Sequence, residues 1–122
     1  MSFFHDIAAV EPQRIWDGVV ARVVHGERIT SAVVELDPRS VVPEHQHENE
    51  QHGIVLSGSL VFHIGDESRE LRAGALYRIP PNTPHGVETG LGGAVVVDIF
   101  SPVRDDWQTL AREASRQPRW PG

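Results

Sequence analysis

The sequence predicts an all-β protein built as an antiparallel barrel or sandwich. Its central part consists of short apolar runs separated by glycine, proline, aspartate and asparagine, the pattern of many short strands joined by turns. The runs follow one another too closely for crossover helices, which favours antiparallel pairing. A helical pattern occurs once, near the end of the chain. Six runs are candidate strands: residues 18–25, 29–36, 52–56, 60–64, 75–79 and 94–100.

The remaining segments complete the predicted order of elements. Residues 57–59 (Ser-Gly-Ser) predict a tight hairpin turn between two runs, and residues 65–67 (Gly-Asp-Glu) predict the next turn. Residues 68–72 alternate polar and apolar side chains, as a half-buried strand does. Residues 104–116 predict a short C-terminal helix with Leu110 facing the barrel.

The composition indicates one domain and argues against several classes of function. A chain of 122 residues is long enough for one core and too short for two. It has no cysteine, which excludes disulfides and thiolate metal sites and suits a reducing cytoplasm. The net charge of −6 and the lack of lysine argue against nucleic-acid binding. The first ten residues lack the pattern of a signal peptide, and no apolar stretch approaches the length of a membrane span.

Histidines are concentrated in one segment that presents two candidate metal ligands. His45 and His47 are two residues apart, so on an extended backbone both imidazoles point to the same side. If the extended conformation continues, Gln51 shares that side, whereas Glu50 and His52 face the opposite side. A polar loop with surface histidines is the alternative interpretation of this segment.

A second segment supplies a candidate third ligand far along the sequence. Residues 74–85 form a predicted strand and a proline-rich turn that ends in His85. Because prolines preset the backbone of the turn, His85 would open the next strand in a fixed direction. A rigid turn of this kind is what a sequence-distant metal ligand requires.

Together, the two segments resemble the two motifs of the cupin superfamily. The first motif is His-x-His, an acid or amide ligand and a glycine; its residues here are His45, His47, Gln51 and Gly58. The second is a glycine, a proline turn and a histidine; its residues here are Gly74, Pro80, Asn82 and His85. The 15 residues between the two motifs match the short segment of small microbial cupins.

The resemblance implies a jelly-roll-like barrel, also called a double-stranded β-helix. The chain 1–122 would be one cupin domain, with N-terminal strands in 1–28, the core in 29–100, and a turn, helix and tail in 101–122. Small cupins usually dimerise, so the resemblance also implies a homodimer.

The resemblance assigns four residues to one divalent transition metal: His45, His47, Gln51 and His85. Imidazole-rich sites suit Zn, Ni, Fe or Cu, and Mn is also common in cupins, so the metal stays open among these. Gln51 stands where glutamate is more usual, which would leave the full charge of the metal for a substrate. Glu50 and His52 remain as rival ligands. Asn82 replaces a motif glycine and, as an asparagine, tolerates the left-handed conformation of a turn.

One carboxylate lies in the middle of the last apolar strand. Asp98 follows three valines, and a buried carboxylate requires a partner or a function. Arg104 follows six residues later. The two residues form either a structural ion pair or a catalytic pair. In the second case Asp98 is an acid/base whose pKa is tuned by burial, and Arg104 binds a substrate carboxylate.

The end of this strand narrows the resemblance. Residues 98–107 look like the end of a cupin subfamily from pectin and alginate breakdown that linearises 4,5-unsaturated monouronates. In that subfamily an Asp and an Arg at this spacing are the presumed catalytic pair, which corresponds to Asp98 and Arg104. The implied function is a ring-opening isomerase that acts on a small anionic sugar acid and uses the metal as a Lewis acid.

Two other functions remain open from the sequence. A metal-dependent dioxygenase would need a redox metal such as Fe and would consume oxygen, and it is favoured if Glu50 is a ligand. A small-molecule-binding or sensory cupin would show no turnover. The aromatic residues Trp16, Tyr77, Phe100 and Trp107 either line a sugar-binding pocket or pack in the core or at a subunit interface.

Overall fold

The computed structural model describes residues 2–122, and the predicted all-β antiparallel fold is confirmed. The strands are β1 (Pro12–Trp16), β2 (Val19–His25), β3 (Thr30–Leu36), β4 (Val41–His45), β5 (Glu50–Ile64), β6 (Glu67–Arg72), β7 (Leu76–Ile79) and β8 (His85–Ser101). Their hydrogen-bonded order is β1-β2-β3-β8-β5-β6, with β4 also paired to β8 and β7 to β5. In the described part of the chain no helix is long and apolar enough to span a membrane.

Two long strands organise the sheet, and they correct one predicted turn. β5 and β8 pair from Glu50 opposite Ser101 to Ile64 opposite His85. Residues 57–59, predicted as a hairpin turn, are instead an irregularity within the continuous β5. Gly58 has φ 78°, and a Cβ atom there would lie 2.1 Å from a carbonyl oxygen of β8. The glycine therefore bends the strand around the barrel and does not reverse it.

The core lies between the inner faces of the strands and is mostly aliphatic. The apolar side chains among the most deeply buried ones are Val55, Leu60, Ile79 and Phe100. Inward and outward residues alternate along β3, where Ala32, Val34 and Leu36 belong to the core. This alternation is the period-two pattern of a sheet with one face buried.

The outer face of β2 and β3 is covered by both ends of the chain. Arg22 and Glu35 lie there with side chains only 2% and 1% exposed, and Arg22 Nε is 3.8 Å from a Glu35 oxygen. Arg22 also donates to the carbonyls of Val10 at 3.0 Å and Arg116 at 2.8 Å. Glu35 accepts from the Arg116 guanidinium at 2.9 Å and from the Arg119 backbone at 3.0 Å. This buried network fastens the N-terminal turn and the C-terminal tail to the sheet.

The predicted C-terminal helix is wrong. Within residues 104–116, only Asp105–Thr109 are helical, and they form a short 3-10 turn. Leu110 ends this turn in an extended conformation, and Arg112 then forms a bridge to Gln13 of β1. In this form the tail covers the open edge of β1 and reaches the buried glutamate of β3. A helix of the same residues would do neither.

Candidate metal centre and active site

Three histidine side chains converge at one end of the barrel. His45 ends β4 and lies opposite His85, which opens β8. One candidate ligand nitrogen from each of these two and from His47 lies within 4.8 Å of the others. Asn82, with φ 57°, adopts the left-handed conformation expected of it, and the turn that contains it leads into His85. The local strand pattern and the proline turn thus bring together residues about 40 positions apart.

Backbone carbonyls fix the orientation of all three imidazole rings. In each ring Nδ1 lies 2.8 or 2.9 Å from a carbonyl oxygen two residues away; the acceptors are Pro43, Asn49 and Thr83. A carbonyl only accepts, so each Nδ1 carries a proton, and in the neutral ring Nε2 keeps its lone pair. Burial lowers the pKa of His47 and lowers that of His85 to about 4. Neutral rings with a free Nε2 are the form that binds a metal ion.

Gln51 joins this group from β5. Its buried side chain has Oε1 3.1 Å from His47 Nε2, and its Nε2 donates to Asp98 Oδ1 at 3.0 Å. With the His47 proton on Nδ1, the 3.1 Å contact joins two lone pairs, which repel each other unless both bind a cation. Given Zn–N and Zn–O bonds of about 2.0–2.2 Å, two ligands of one tetrahedral Zn ion stand roughly 3.3–3.6 Å apart, a little farther than these two atoms. The donor set therefore fits a divalent metal.

The two rival ligands flank Gln51 on β5 and point away from the histidines. The Glu50 and His52 side chains are 53% and 61% exposed, and a Glu50 oxygen lies 3.5 Å from His52 Nε2. The alternation predicted for an extended segment is therefore observed. Both rivals are turned to solvent and pair with each other.

Asp98 lies on β8 with its carboxylate next to the amide of Gln51. Its Oδ1 accepts two hydrogen bonds, one from Gln51 and one from the Tyr77 hydroxyl at 2.5 Å. Its Oδ2 accepts none from the residues that the structure describes. Burial raises the pKa of Asp98 to about 6, although the two hydrogen bonds and the charge of Arg104 lower it. A carboxyl group that titrates near neutrality can both take and give a proton.

Arg104 is buried against two aromatic rings and paired with an exposed carboxylate. Its guanidinium carbon lies 4.8 Å from the ring centre of Phe100 and 4.3 Å from that of Trp107. Its Nε and Nη2 donate to the two oxygens of Asp106 at 3.0 and 2.8 Å. Across residues 2–122 no ion pair joins Arg104 to Asp98, so the structural ion pair considered from the sequence is wrong.

Two buried polar side chains hold the turn that leads to Arg104. Thr30 Oγ1 accepts from the Arg104 backbone N–H at 2.9 Å, and Asn49 Nδ2 donates to the Pro102 carbonyl at 2.5 Å. Neither residue stands out in the sequence, because the partners of Thr30 and Asn49 are 74 and 53 positions away. The feature that marks both residues is their burial, and burial becomes visible only in the folded structure.

A cavity of about 60 Å³ lies beside these groups. Its polar side is formed by His45, Gln51, His85, Asp98 and Arg104. The four aromatic residues with two possible roles, Trp16, Tyr77, Phe100 and Trp107, all contribute to its wall. Tyr77, Phe100 and Trp107 also belong to the hydrophobic core, so for these residues the two roles coincide.

Comparison with known proteins assigns the family. Residues 32–100 match the Cupin_2 family, described as a cupin domain, and this match covers more than half of the chain. The chain belongs to the Cupin_2 family. The predicted motif residues 45–85 of this cupin lie within the matched segment.

This cupin is similar to three proteins of known name. It is 33% identical over 87 residues to H2HPP isomerase of Bacillus subtilis, covering 69% of this chain and 37% of that protein. It is 28% identical over 97 residues to the pectin degradation protein KdgF of Dickeya dadantii (strain 3937), covering 78% of this chain and 88% of that protein. The solved structure of KdgF from Halomonas sp. has a TM-score of 0.78 at 30% identity, covering 88% of this chain and 98% of that one. The chain thus spans little more than a third of H2HPP isomerase but nearly all of both KdgF proteins.

Proposed function

We propose that this cupin is a metal-dependent isomerase that linearises 4,5-unsaturated monouronates in uronate and pectin catabolism. One observation carries the proposal: candidate metal ligands, a buried carboxylate and a buried guanidinium all line a single cavity, namely those of His45, Gln51, His85, Asp98 and Arg104. The similarity to two KdgF proteins, one of them named for pectin degradation, and to an isomerase supports it.

The proposed metal ligands are His45, His47, Gln51 and His85, and the proposed metal is Zn, Ni, Mn or Fe. When bound, such an ion acts as a Lewis acid toward a substrate oxygen. Neutral imidazole and amide ligands leave the charge of the ion available to an anionic substrate. The protein supplies the fixed imidazole orientation through the three carbonyl contacts.

The reaction requires two proton transfers, one away from the substrate and one back to it. Linearisation removes a proton from the anomeric hydroxyl, breaks the C1–O5 bond to form an aldehyde at C1, and adds a proton at C4. The ring oxygen becomes the ketone oxygen at C5, so no atom is gained or lost. Asp98 is suited to both proton transfers, because its Oδ2 is unused and its pKa of about 6 lies close to neutrality.

Arg104 is the proposed partner of the substrate carboxylate. Its planar fork binds carboxylates through two parallel hydrogen bonds, as it does here with Asp106. Contacts with the rings of Phe100 and Trp107 keep the guanidinium in place. A substrate would exchange with the Asp106 carboxylate, which is 66% exposed and free to turn into water.

Three properties of the whole protein are also proposed. Residues 1–122 form one cupin domain. It acts in the cytoplasm, because a chain without cysteine needs no oxidising compartment to form disulfides. The active form is a homodimer. Leu76 and Ile99 are 76% and 43% exposed beside an apolar groove on the outer face of the sheet, which a second copy would cover. Light scattering of the purified protein measures this assembly directly.

Metal analysis combined with an activity assay tests the proposal. The wild-type protein is expected to hold about one equivalent of metal by mass spectrometry and to remove the enol-ether absorbance of unsaturated galacturonate. His47→Ala is expected to lose both the metal and the activity. Metal without turnover would favour a dioxygenase, recognised by oxygen consumption, or a binding protein. A wild type without metal would overturn the proposed centre.

Asp98→Asn separates catalysis from metal binding. The asparagine keeps an oxygen that can accept from Gln51 and Tyr77, so the metal content is expected to stay at the wild-type level. Loss of the proton acceptor is expected to lower kcat by about 10²–10⁴-fold. Full activity of this variant would show that Asp98 does not transfer the proton.

A further inference from the structure

The contact between Tyr77 and Asp98 is built across three adjacent strands. Gly53 of β5 lies opposite Tyr77 of β7 on one side and opposite Asp98 of β8 on the other. The tyrosine side chain crosses over Gly53 to reach the carboxylate. A Cβ atom at residue 53 would lie 2.2–2.4 Å from three atoms of the Tyr77 ring and hydroxyl, far closer than real Cβ contacts. The glycine therefore leaves the space through which the tyrosine reaches Asp98.

The contact continues as a chain of polar groups that ends at the histidines. Tyr77 Oη and Gln51 Nε2 both donate to Asp98 Oδ1, at 2.5 and 3.0 Å. Gln51 Oε1 then faces His47 Nε2 at 3.1 Å. An amide that rotated by half a turn would present an NH₂ group to the histidines, and an NH₂ group cannot bind a metal ion. The acceptor on Asp98 is what favours the opposite orientation.

The hydroxyl of Tyr77 is distinct from the packing role of its ring. The ring lies 4.5 Å from that of Phe62, measured between centroids, and belongs to the hydrophobic core. A phenylalanine would supply that packing equally well. The hydroxyl bonds to Asp98 and to no other described residue, so its function concerns the carboxylate. It occupies Oδ1 and leaves Oδ2 for the cavity.

We propose that Tyr77 is a positioning residue whose hydroxyl holds Asp98, so that Gln51 turns its Oε1 to the metal and Asp98 turns its Oδ2 to the substrate. This inference rests on the proposed function, because Gln51 and Asp98 have the roles assigned there. Tyr77 itself touches neither the metal nor the reacting atoms and acts through its neighbours.

Tyr77→Phe tests the inference through metal affinity, which does not require turnover. Competition between the protein and a chelator for Zn measures the affinity. Loss of an outer partner of a metal ligand typically weakens binding or activity by about 10–100-fold, and we expect at least about a tenfold loss of Zn affinity. In an enzyme active on unsaturated galacturonate, kcat is expected to fall by a similar factor while KM stays near the wild-type value. A Zn affinity equal to that of the wild type overturns the inference.

Two controls separate positioning from packing. Leu71→Ala removes a core side chain of β6 that lies outside the site, so it is expected to lower stability and leave the Zn affinity unchanged. The chain contains one tyrosine, so a tyrosine label at Cζ gives a single carbon resonance. This resonance is expected to shift in Asp98→Asn, which exchanges a charged acceptor for a neutral one. An unchanged resonance would contradict the contact itself.

Gly53→Ala tests the same contact from the other side. In the wild-type background the added methyl group displaces Tyr77, so this variant is expected to lose Zn affinity as Tyr77→Phe does. In a Tyr77→Val background the space is free, and Gly53→Ala is expected to cause no further loss. Equal losses in both backgrounds would contradict the inference.

The outcomes distinguish this inference from the proposed function. A wild type that binds Zn but does not open unsaturated uronates contradicts the proposed function, and the affinity of Tyr77→Phe still decides the role of the tyrosine. A wild type with turnover whose Tyr77→Phe variant keeps its Zn affinity retains the proposed function and overturns the inference.

Discussion

Arg104 already holds a carboxylate, and this contact bears on substrate binding. The Asp106 side chain occupies two donors of the Arg104 guanidinium, and Arg104 is only 7% exposed. The hydrogen bonds from Arg104 lower the pKa of Asp106 below its usual range, so the carboxylate stays charged near neutrality. Under the proposed function, a substrate carboxylate would therefore compete with a carboxylate that is always present. Because Asp106 itself is well exposed, this competition is mild.

Asp106→Asn is expected to tighten substrate binding. Exposed ion pairs contribute about 0.2–1 kcal/mol, so removal of the competing charge is expected to lower the KM for unsaturated galacturonate by up to about fivefold. Steady-state kinetics measure this change, and Arg104→Ala, which is expected to raise KM, is the matched control. A higher KM in Asp106→Asn would instead show that Asp106 holds the guanidinium in its working position.

Single residues of the site were predictable where the signal was local. The His-x-His spacing and the proline turn indicated His45, His47 and His85, and strand alternation placed Gln51 inward and Glu50 outward. Long-range contacts left no such signal. Tyr77 and Thr30 acquire their roles from partners 21 and 74 positions away, and nothing in the neighbouring sequence marks those pairs.

At the level of elements, the two ends of the chain depend on a buried charge pair. Arg22 and Glu35 lie on the outer face of the sheet, and Arg22 Nε has no hydrogen-bond partner among the described residues. Such pairs add little net stability, but removal of one partner leaves an uncompensated charge. The terminal segments that bond to this pair should loosen together when it is broken.

Glu35→Ala is expected to lower the free energy of unfolding by about 3–5 kcal/mol, because Arg22 would remain buried without its counter-charge. Urea unfolding followed by circular dichroism measures this loss. The double variant with Arg22→Met and Glu35→Leu is the control, and it is expected to regain most of the stability since no charge stays buried. A double variant no better than Glu35→Ala would point to the tail contacts as the main source of stability.

The two wrong predictions at this level share a physical cause. Residues 57–59 have the composition of a tight turn, but Gly58 serves equally well where a strand bends close to a neighbour. Residues 104–116 have an adequate helical pattern, yet the extended tail gains the edge of β1 and the buried Glu35. In both cases the local preference was real, and a partner distant in sequence decided the outcome.

On the scale of the whole molecule, two buried groups give the metal-free protein opposing responses to acid. The pKa of His85 is lowered from 6.5 to about 4, so between these values the unfolded chain binds a proton that the folded chain does not. The stability of the folded chain therefore decreases as the pH decreases. The pKa of Asp98 is raised from 3.8 to about 6, so there the folded chain binds the extra proton, and stability rises as pH falls. The two responses offset each other.

Asp98→Asn is therefore expected to make the metal-free protein more sensitive to acid. Between pH 6.5 and pH 4 the variant should lose about 2 kcal/mol more unfolding free energy than the wild type, since most of the offsetting effect of a shift from 3.8 to about 6 falls in this range. Urea unfolding in the presence of a chelator at several pH values measures the difference. Parallel stability curves for the two proteins would contradict the assigned shift of Asp98.

The gap at Gly53 has a consequence for how such a chain can change over time. Because any side chain there collides with Tyr77, position 53 cannot vary while the tyrosine is kept. A descendant that retained the tyrosine would have to retain the glycine, and one that replaced the tyrosine with a small residue could accept a side chain at 53. Wherever the tyrosine three residues after Gly74 is inherited, the glycine two residues after Gln51 should therefore be inherited with it. Related sequences could be sorted by whether they carry both.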